Sequence, residues 1–252
     1  MFNHQRFRIF RDIRRCASRR RRNLLFLGTN YGGWYIPAVN NLSSESICYS
    51  AGAGEDVSFD IKLTSIFNCK VRIVDPTPKA VAHFAKLMES CRNQVQFPIN
   101  NSQSEFYILD CVIPENVTFH PVGLAGHDGV VRLYEPINPN HASFSKLNLQ
   151  NSNKSLEFEC VTLSSLMRSL GDTHCDLLKI DIEGAEYEVL ENMVDSQIRP
   201  RILLVEFDEL HTPLDKSANI RVEQCLSMLI RYEMELVWRD NCNFTFVDKR
   251  IQ

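Results

Sequence analysis

From residue 47 onward, short apolar runs alternate with stretches whose apolar residues recur at helical spacing. That switching between periods of two and 3.6 confines the chain to an α/β architecture, a mainly parallel sheet covered by helices on both faces. Leu177 to Ile182 and Arg201 to Phe207 are nearly continuous apolar runs. A strand reads this way when both faces of its sheet are buried. Shorter strands are expected at Ile47 to Ser50, Lys70 to Val74, Val117 to Leu124, Val130 to Tyr134 and Phe158 to Val161.

The intervening helices carry their own signals. Phe59, Leu63, Ile66 and Phe67 fall on one face of the first. Thr77-Pro78 reads as an N-cap with proline at the first helical position, and predicts a buried stripe of Val81, Phe84, Ala85 and Met88. Thr162 caps a third helix, with Leu163, Leu166, Met167 and Leu170 inward and Gly171 closing it. A fourth turns Ala185, Val189 and Met193 to the core, and a fifth Val222, Cys225, Leu226 and Leu229. Glu235 to Arg239, the turn DNCN and Phe244 to Asp248 read as an antiparallel hairpin. Residues 93 to 116 give no firm pattern, and polar Asn138 to Ser155 is the natural mobile loop over a site.

A chain of 252 residues with 44% hydrophobic content buries a sizeable core, so residues 23–252 are expected to form one domain behind a basic tail, 1–22. The first 22 residues hold nine of the 28 basic residues and one of the 31 acidic ones, leaving 19 against 30 in the body. An acidic body argues against a broad nucleic-acid surface. The Arg-rich head suits an anionic membrane surface or nucleic acid, a mitochondrial presequence or a solvated tail. Nine cysteines without a CxxC pair point to a reduced, cytoplasmic setting, the mitochondrion being the alternative. Oligomeric state has no sequence signature here.

In an open parallel sheet, ligands bind outside the carboxyl ends of the strands. The first strand of the alternating pattern ends in Gly52-Ala53-Gly54, and an acid, Asp75, follows the second strand 23 residues after Gly52. Glycines admit a nucleoside to the backbone and a carboxylate accepts from ribose hydroxyls. The loop continues with Glu55 and Asp56, and Val57 stands where GxGxxG would place its third glycine. Two acids repel a pyrophosphate and attract a cationic ligand such as S-adenosylmethionine. Asp56 also suits the cap of the following helix.

YSAGAGEDVSFD (49–60), VDPTP (74–78), PVGLAGHDG (121–129), TLSSL (162–166), LLKIDIEGAEYEVL (177–190) and LLVEF (203–207) together resemble the FkbM family of S-adenosylmethionine-dependent methyltransferases over roughly residues 47–210. The resemblance implies a Rossmann-like class I methyltransferase fold, a seven-stranded sheet with a C-terminal antiparallel hairpin. It also implies S-adenosyl-L-methionine as cofactor and O-methylation of a small-molecule or carbohydrate acceptor. The usual family loop is DxGANxG; here Ser50 replaces its leading aspartate, Gly54 its asparagine and Asp56 its last glycine, with Glu55 or Asp56 supplying the missing charge.

The expected cofactor contacts are Ser50, Gly52, Gly54, Glu55, Asp75 and Asp181. Asp181 falls at a strand's carboxyl end, Glu183-Gly184 in the turn after it and Glu186 on the first helical turn, with Glu188 pointing to solvent. Because a hydroxyl must lose its proton to attack, the candidate acids and bases are Asp181, Glu183, Glu186 and His211, with Glu206 as an alternative. His120 and His127 read as structural. Asp181, Glu206 and Asp208 offer oxygen ligands, but no full metal-ligand set is legible. A nicotinamide-dependent oxidoreductase and a non-catalytic binding protein of the same fold are the competing readings.

Overall fold

The computed structural model describes residues 23–99, 104–110, 112–137, 144–146 and 152–251. The basic tail lies outside them. The described chain opens with a hairpin absent from the expected elements, β1 (Leu24–Leu27) paired antiparallel with β2 (Trp34–Pro37). It then runs through β3 (Ile47–Ala51), α1 (Ser58–Phe67), β4 (Lys70–Val74), α2 (Pro78–Asn93), β5 (Val117–His120), β6 (Gly123–Leu124), β7 (Gly129–Tyr134) and β8 (Ser155–Val161). After α3 (Leu163–Leu170) come β9 (Leu177–Ile180), α4 (Glu186–Asp195), β10 (Ile202–Glu206), α5 (Ala218–Arg231), β11 (Met234–Asp240) and β12 (Asn243–Asp248).

Seven of these strands form one mixed sheet in the order β11-β12-β10-β9-β3-β4-β5. β5, β4, β3, β9 and β10 pair in parallel, while β12 runs against both β10 and β11. Alternate residues feed opposite faces, which is why the central runs are apolar throughout. Leu178, Ile180, Leu203 and Val205 join the core under α3, α4 and α5, whereas Leu177, Ile202 and Leu204 join the core under α1, α2 and the β1–β2 hairpin. The hairpin is held by Thr245 Oγ1 donating to the Tyr35 carbonyl at 2.7 Å and by the Tyr35–Trp238 ring contact at 4.9 Å.

Three expectations need correction. The run Val117 to Leu124 is two strands: Pro121, without an N–H, ends β5 in the main sheet, and β6 pairs instead with β8 in a second sheet of order β6-β8-β7. Ile66 is 54% exposed and Phe67 half-buried, while Ser58, Asp60, Ile61 and Thr64 are buried beside Phe59 and Leu63, so the buried side of α1 lies in its first two turns rather than along the expected stripe. The stripe on α2 is Ala80, His83, Leu87 and Met88, with Phe84 half-buried and Val81 and Ala85 exposed. His83 turns inward because its Nε2 meets the Tyr107 hydroxyl at 2.9 Å, and that oxygen also accepts from the Val57 amide at 3.1 Å. Tyr107, from the unassigned stretch, thereby ties α2 to the start of α1. No helix among the described residues is long and apolar enough to cross a membrane.

Candidate active site

The loop after β3 is built to touch its neighbours without side chains. Gly52 has φ +83° and donates to the Val74 carbonyl at 3.0 Å. A Cβ there would stand 1.6 Å from the Asp181 carbonyl oxygen, so only glycine fits between β3 and the end of β9. Asp75, buried at the end of β4, holds this loop: its Oδ2 accepts from the Ala53 amide at 2.9 Å and the Gly54 amide at 3.0 Å. Its Oδ1 accepts from the Thr77 amide at 2.8 Å and the Thr77 hydroxyl at 2.6 Å. Asp56 closes the loop, accepting from the Ser58 amide at 2.9 Å and the Thr29 hydroxyl at 2.6 Å. The N-cap of α1 is Val57 rather than the expected Asp56; one residue earlier, Asp56 still meets the first helical amide and anchors the hairpin turn that carries Tyr31 and Gly32.

The opposite wall grows from β9. Lys179 lies in an otherwise apolar strand, where an unpaired ammonium would be costly. Its Nζ donates to the Gly52 carbonyl at 2.7 Å, reaches Asp181 at 3.3 Å and stands 5.9 Å from the Trp34 ring. The turn that follows places Glu183 in left-handed backbone, φ +51°, ahead of Gly184 at φ +101°. The Glu183 carbonyl accepts from the Ser145 hydroxyl at 2.8 Å and the Lys146 amide at 3.0 Å, and the Lys146 ammonium pairs with Glu188.

These elements enclose a cavity of about 620 Å³ at the carboxyl ends of β3, β4, β9 and β10, with Val131, Leu133, Phe144 and Cys160 as an apolar wall. Seven carboxylates (Glu55, Asp56, Asp75, Asp181, Glu183, Glu188, Glu206) and two lysines (Lys146, Lys179) line it. Burial, and secondarily the Asp181 charge, pushes the Glu206 carboxyl up to about 7. The Cys242 thiol donates to Glu206 Oε1 at 3.0 Å. Asp208 is driven further up by burial and by Glu186 and Glu183.

Of the residues expected at the site, Gly52, Gly54, Glu55, Asp75, Asp181 and Glu183 line the cavity. Three do not. Ser50 is buried inside β3, beneath the cavity; near it Asp60, pushed to about 6 by burial, is eased back by Lys179 and by the Ser50 hydroxyl. Glu186 is buried under the turn, accepting from the Gly184 amide at 2.7 Å, with burial raising its carboxyl to about 7. His211 is exposed beyond the 3-10 turn Asp208–Leu210, its Nδ1 beside the Thr212 hydroxyl. Glu188, expected in solvent, lines the cavity as the partner of Lys146. Tyr31, Gly32, Thr77, Lys146 and Lys179 are site residues that the sequence reading missed, and only Lys179 carried a signal, a lone charge in a buried strand. Phe144 to Lys146 reaches the cavity from the expected loop, whose residues 138–143 and 147–151 lie outside the described ones. No group of three or more His, Cys, Asp or Glu among the described residues is placed to hold a metal ion.

A mixed seven-stranded sheet with one reversed strand near its edge, and a carboxylate-rich cleft across its parallel strand ends, is the arrangement of a methyltransferase domain. The family model of the methyltransferase FkbM domain matches residues 46–244, and the chain belongs to that family. No curated protein and no solved structure matches it.

Proposed function

We propose that the protein is an S-adenosylmethionine-dependent methyltransferase acting on a hydroxyl of a sugar, glycolipid or small metabolite. The observation that carries this reading is the cavity's charge, seven carboxylates against two lysines that are both already paired. A pyrophosphate coenzyme is repelled by such a wall, and a donor bearing a sulfonium and an ammonium is attracted. The donor set fits: the Gly52–Gly54 loop leaves room for a nucleoside against the backbone, Asp75 offers a carboxylate to ribose, and Glu55 and Asp181 offer charge to an ammonium. When bound, the cofactor supplies an electrophilic methyl group.

The chain's own residues have two tasks, to fix the acceptor hydroxyl and to take its proton. Held orientation supplies most of the acceleration in a displacement of this kind. Glu206 is the proton acceptor of choice, since it lines the cavity and burial, with the Asp181 charge, raises its carboxyl so that it holds a proton more readily than an ordinary glutamate. Asp181, beside it, orients the hydroxyl. Nine cysteines without a CxxC pair favour a reducing compartment, the cytoplasm or, given the Arg-rich head, the mitochondrion. The test is calorimetric titration with S-adenosylhomocysteine and with NAD, followed by labelled methyl transfer to a panel of hydroxylated acceptors. Tight NAD binding, or no S-adenosylhomocysteine binding by folded protein, defeats the reading.

A further inference from the structure

We propose that the Thr77 hydroxyl stands in for a ribose hydroxyl on Asp75 and is displaced when a nucleoside enters the cavity. The inference rests on the cofactor reading above and adds a positioning residue to it. A carboxylate has about four acceptor directions, and the protein itself fills four on Asp75: the Ala53 and Gly54 amides on Oδ2, the Thr77 amide and hydroxyl on Oδ1. A ribose hydroxyl therefore needs one of these donors to leave. Three of them are backbone amides fixed by the loop and by the start of α2. The fourth hangs on one rotatable bond, and Thr77 lines the cavity.

Thr77 also occupies the N-cap of α2 with extended backbone, φ −74° and ψ 139°. A threonine there ordinarily accepts from a first-turn amide. Here its side chain makes no cap bond and donates to Asp75 instead. The displaced hydroxyl thus has a second position ready for it, as a cap. A bond to a carboxylate is stronger than a neutral cap bond, so the internal donor competes with the ligand and holds affinity down.

The experiment titrates adenosine, S-adenosylhomocysteine and 2′,3′-dideoxyadenosine into wild type, Thr77→Val, Thr77→Ala and Thr77→Ser, and follows urea unfolding of each ligand-free protein. Thr77→Val and Thr77→Ala should bind the two ribosides roughly threefold to tenfold more tightly than wild type, and Thr77→Ser within about twofold of it. The gain should vanish with the dideoxy compound, which a general loosening of the fold would not produce. Ligand-free Thr77→Val should unfold at lower urea, because Oδ1 has lost a donor. A wild type that binds no riboside overturns the cofactor reading and the exchange with it. A wild type that binds, with both the Val and Ala variants equal or weaker, overturns the exchange alone.

Discussion

The residue that fixes the site most narrowly is Gly52. Its Cβ position falls on the Asp181 carbonyl oxygen, and its φ of +83° is one that side chains rarely adopt. Gly52→Ala must push β3 and the end of β9 apart, and we expect it to lose about 2–4 kcal/mol of stability together with S-adenosylhomocysteine binding, read by urea unfolding and calorimetry. A loss of binding with stability unchanged would show that the close approach is not what the glycine serves. Lys179→Met belongs to the same scale. It keeps the length of the chain and removes the donor to Gly52 and the partner of Asp181; about 1–3 kcal/mol is expected, since Asp181 stays partly in water. Gly52 and Asp75 were legible because glycine after a strand and acid after the next strand are each meaningful alone. Ser50 and His211 misled for an opposite reason: a residue's place in a motif does not say which face it turns to, and Ser50 is buried on the side of the sheet under α1, near Asp60. Thr77 read correctly as a cap position, but its hydroxyl is bonded elsewhere.

Elements follow local rules where no distant partner intervenes. Strands β3, β4, β9 and β10, helices α3 to α5 and the closing hairpin lie within a few residues of their expected bounds, because each has a period and a stop of its own. Thr162 accepts from the Ser165 amide and Gly171 turns left-handed, as written in the chain. On α2 the stripe shifted because Tyr107, more than 20 residues away in sequence, drew His83 inward. The β1–β2 hairpin escaped notice because two strands of four residues carry too little pattern to stand out, and what holds them is tertiary. The end of α2 gives an element-scale prediction: Gln94 is exposed and holds left-handed backbone, φ +55°, at the C-cap. Gln94→Gly relieves that conformation and should stabilise the protein by about 0.5–1 kcal/mol in urea unfolding, leaving ligand affinity unchanged.

Across the whole molecule, two sets of acids pull stability in opposite directions with pH. Asp172, Glu209 and Asp248 sit beside Arg72, Arg221 and Arg250, whose bonds hold their carboxyls below the ordinary range. A depressed carboxyl contributes stability that is present above its unfolded pKa and lost as pH falls through its folded one, so these pairs fail only in acid. Asp60, Glu186 and Glu206, raised by burial to about 6, about 7 and about 7, act the other way. Between its unfolded value and its raised one, each such group binds more protons folded than unfolded, so stability falls as pH rises through that interval. The protein should therefore be most stable at mildly acidic pH and weaken towards pH 8, where the cluster around the cavity is ionised and waits for a cation. Glu186→Gln tests the effect away from the cavity lining: it removes one buried carboxylate and its push on Asp208, and glutamine can still accept from the Gly184 amide. The variant should match wild type near pH 5 and exceed it by about 1–2 kcal/mol at pH 8, measured by urea unfolding at both values. Equal stabilities at pH 8 would mean that the buried Glu186 carboxyl is not ionised at a cost to the fold.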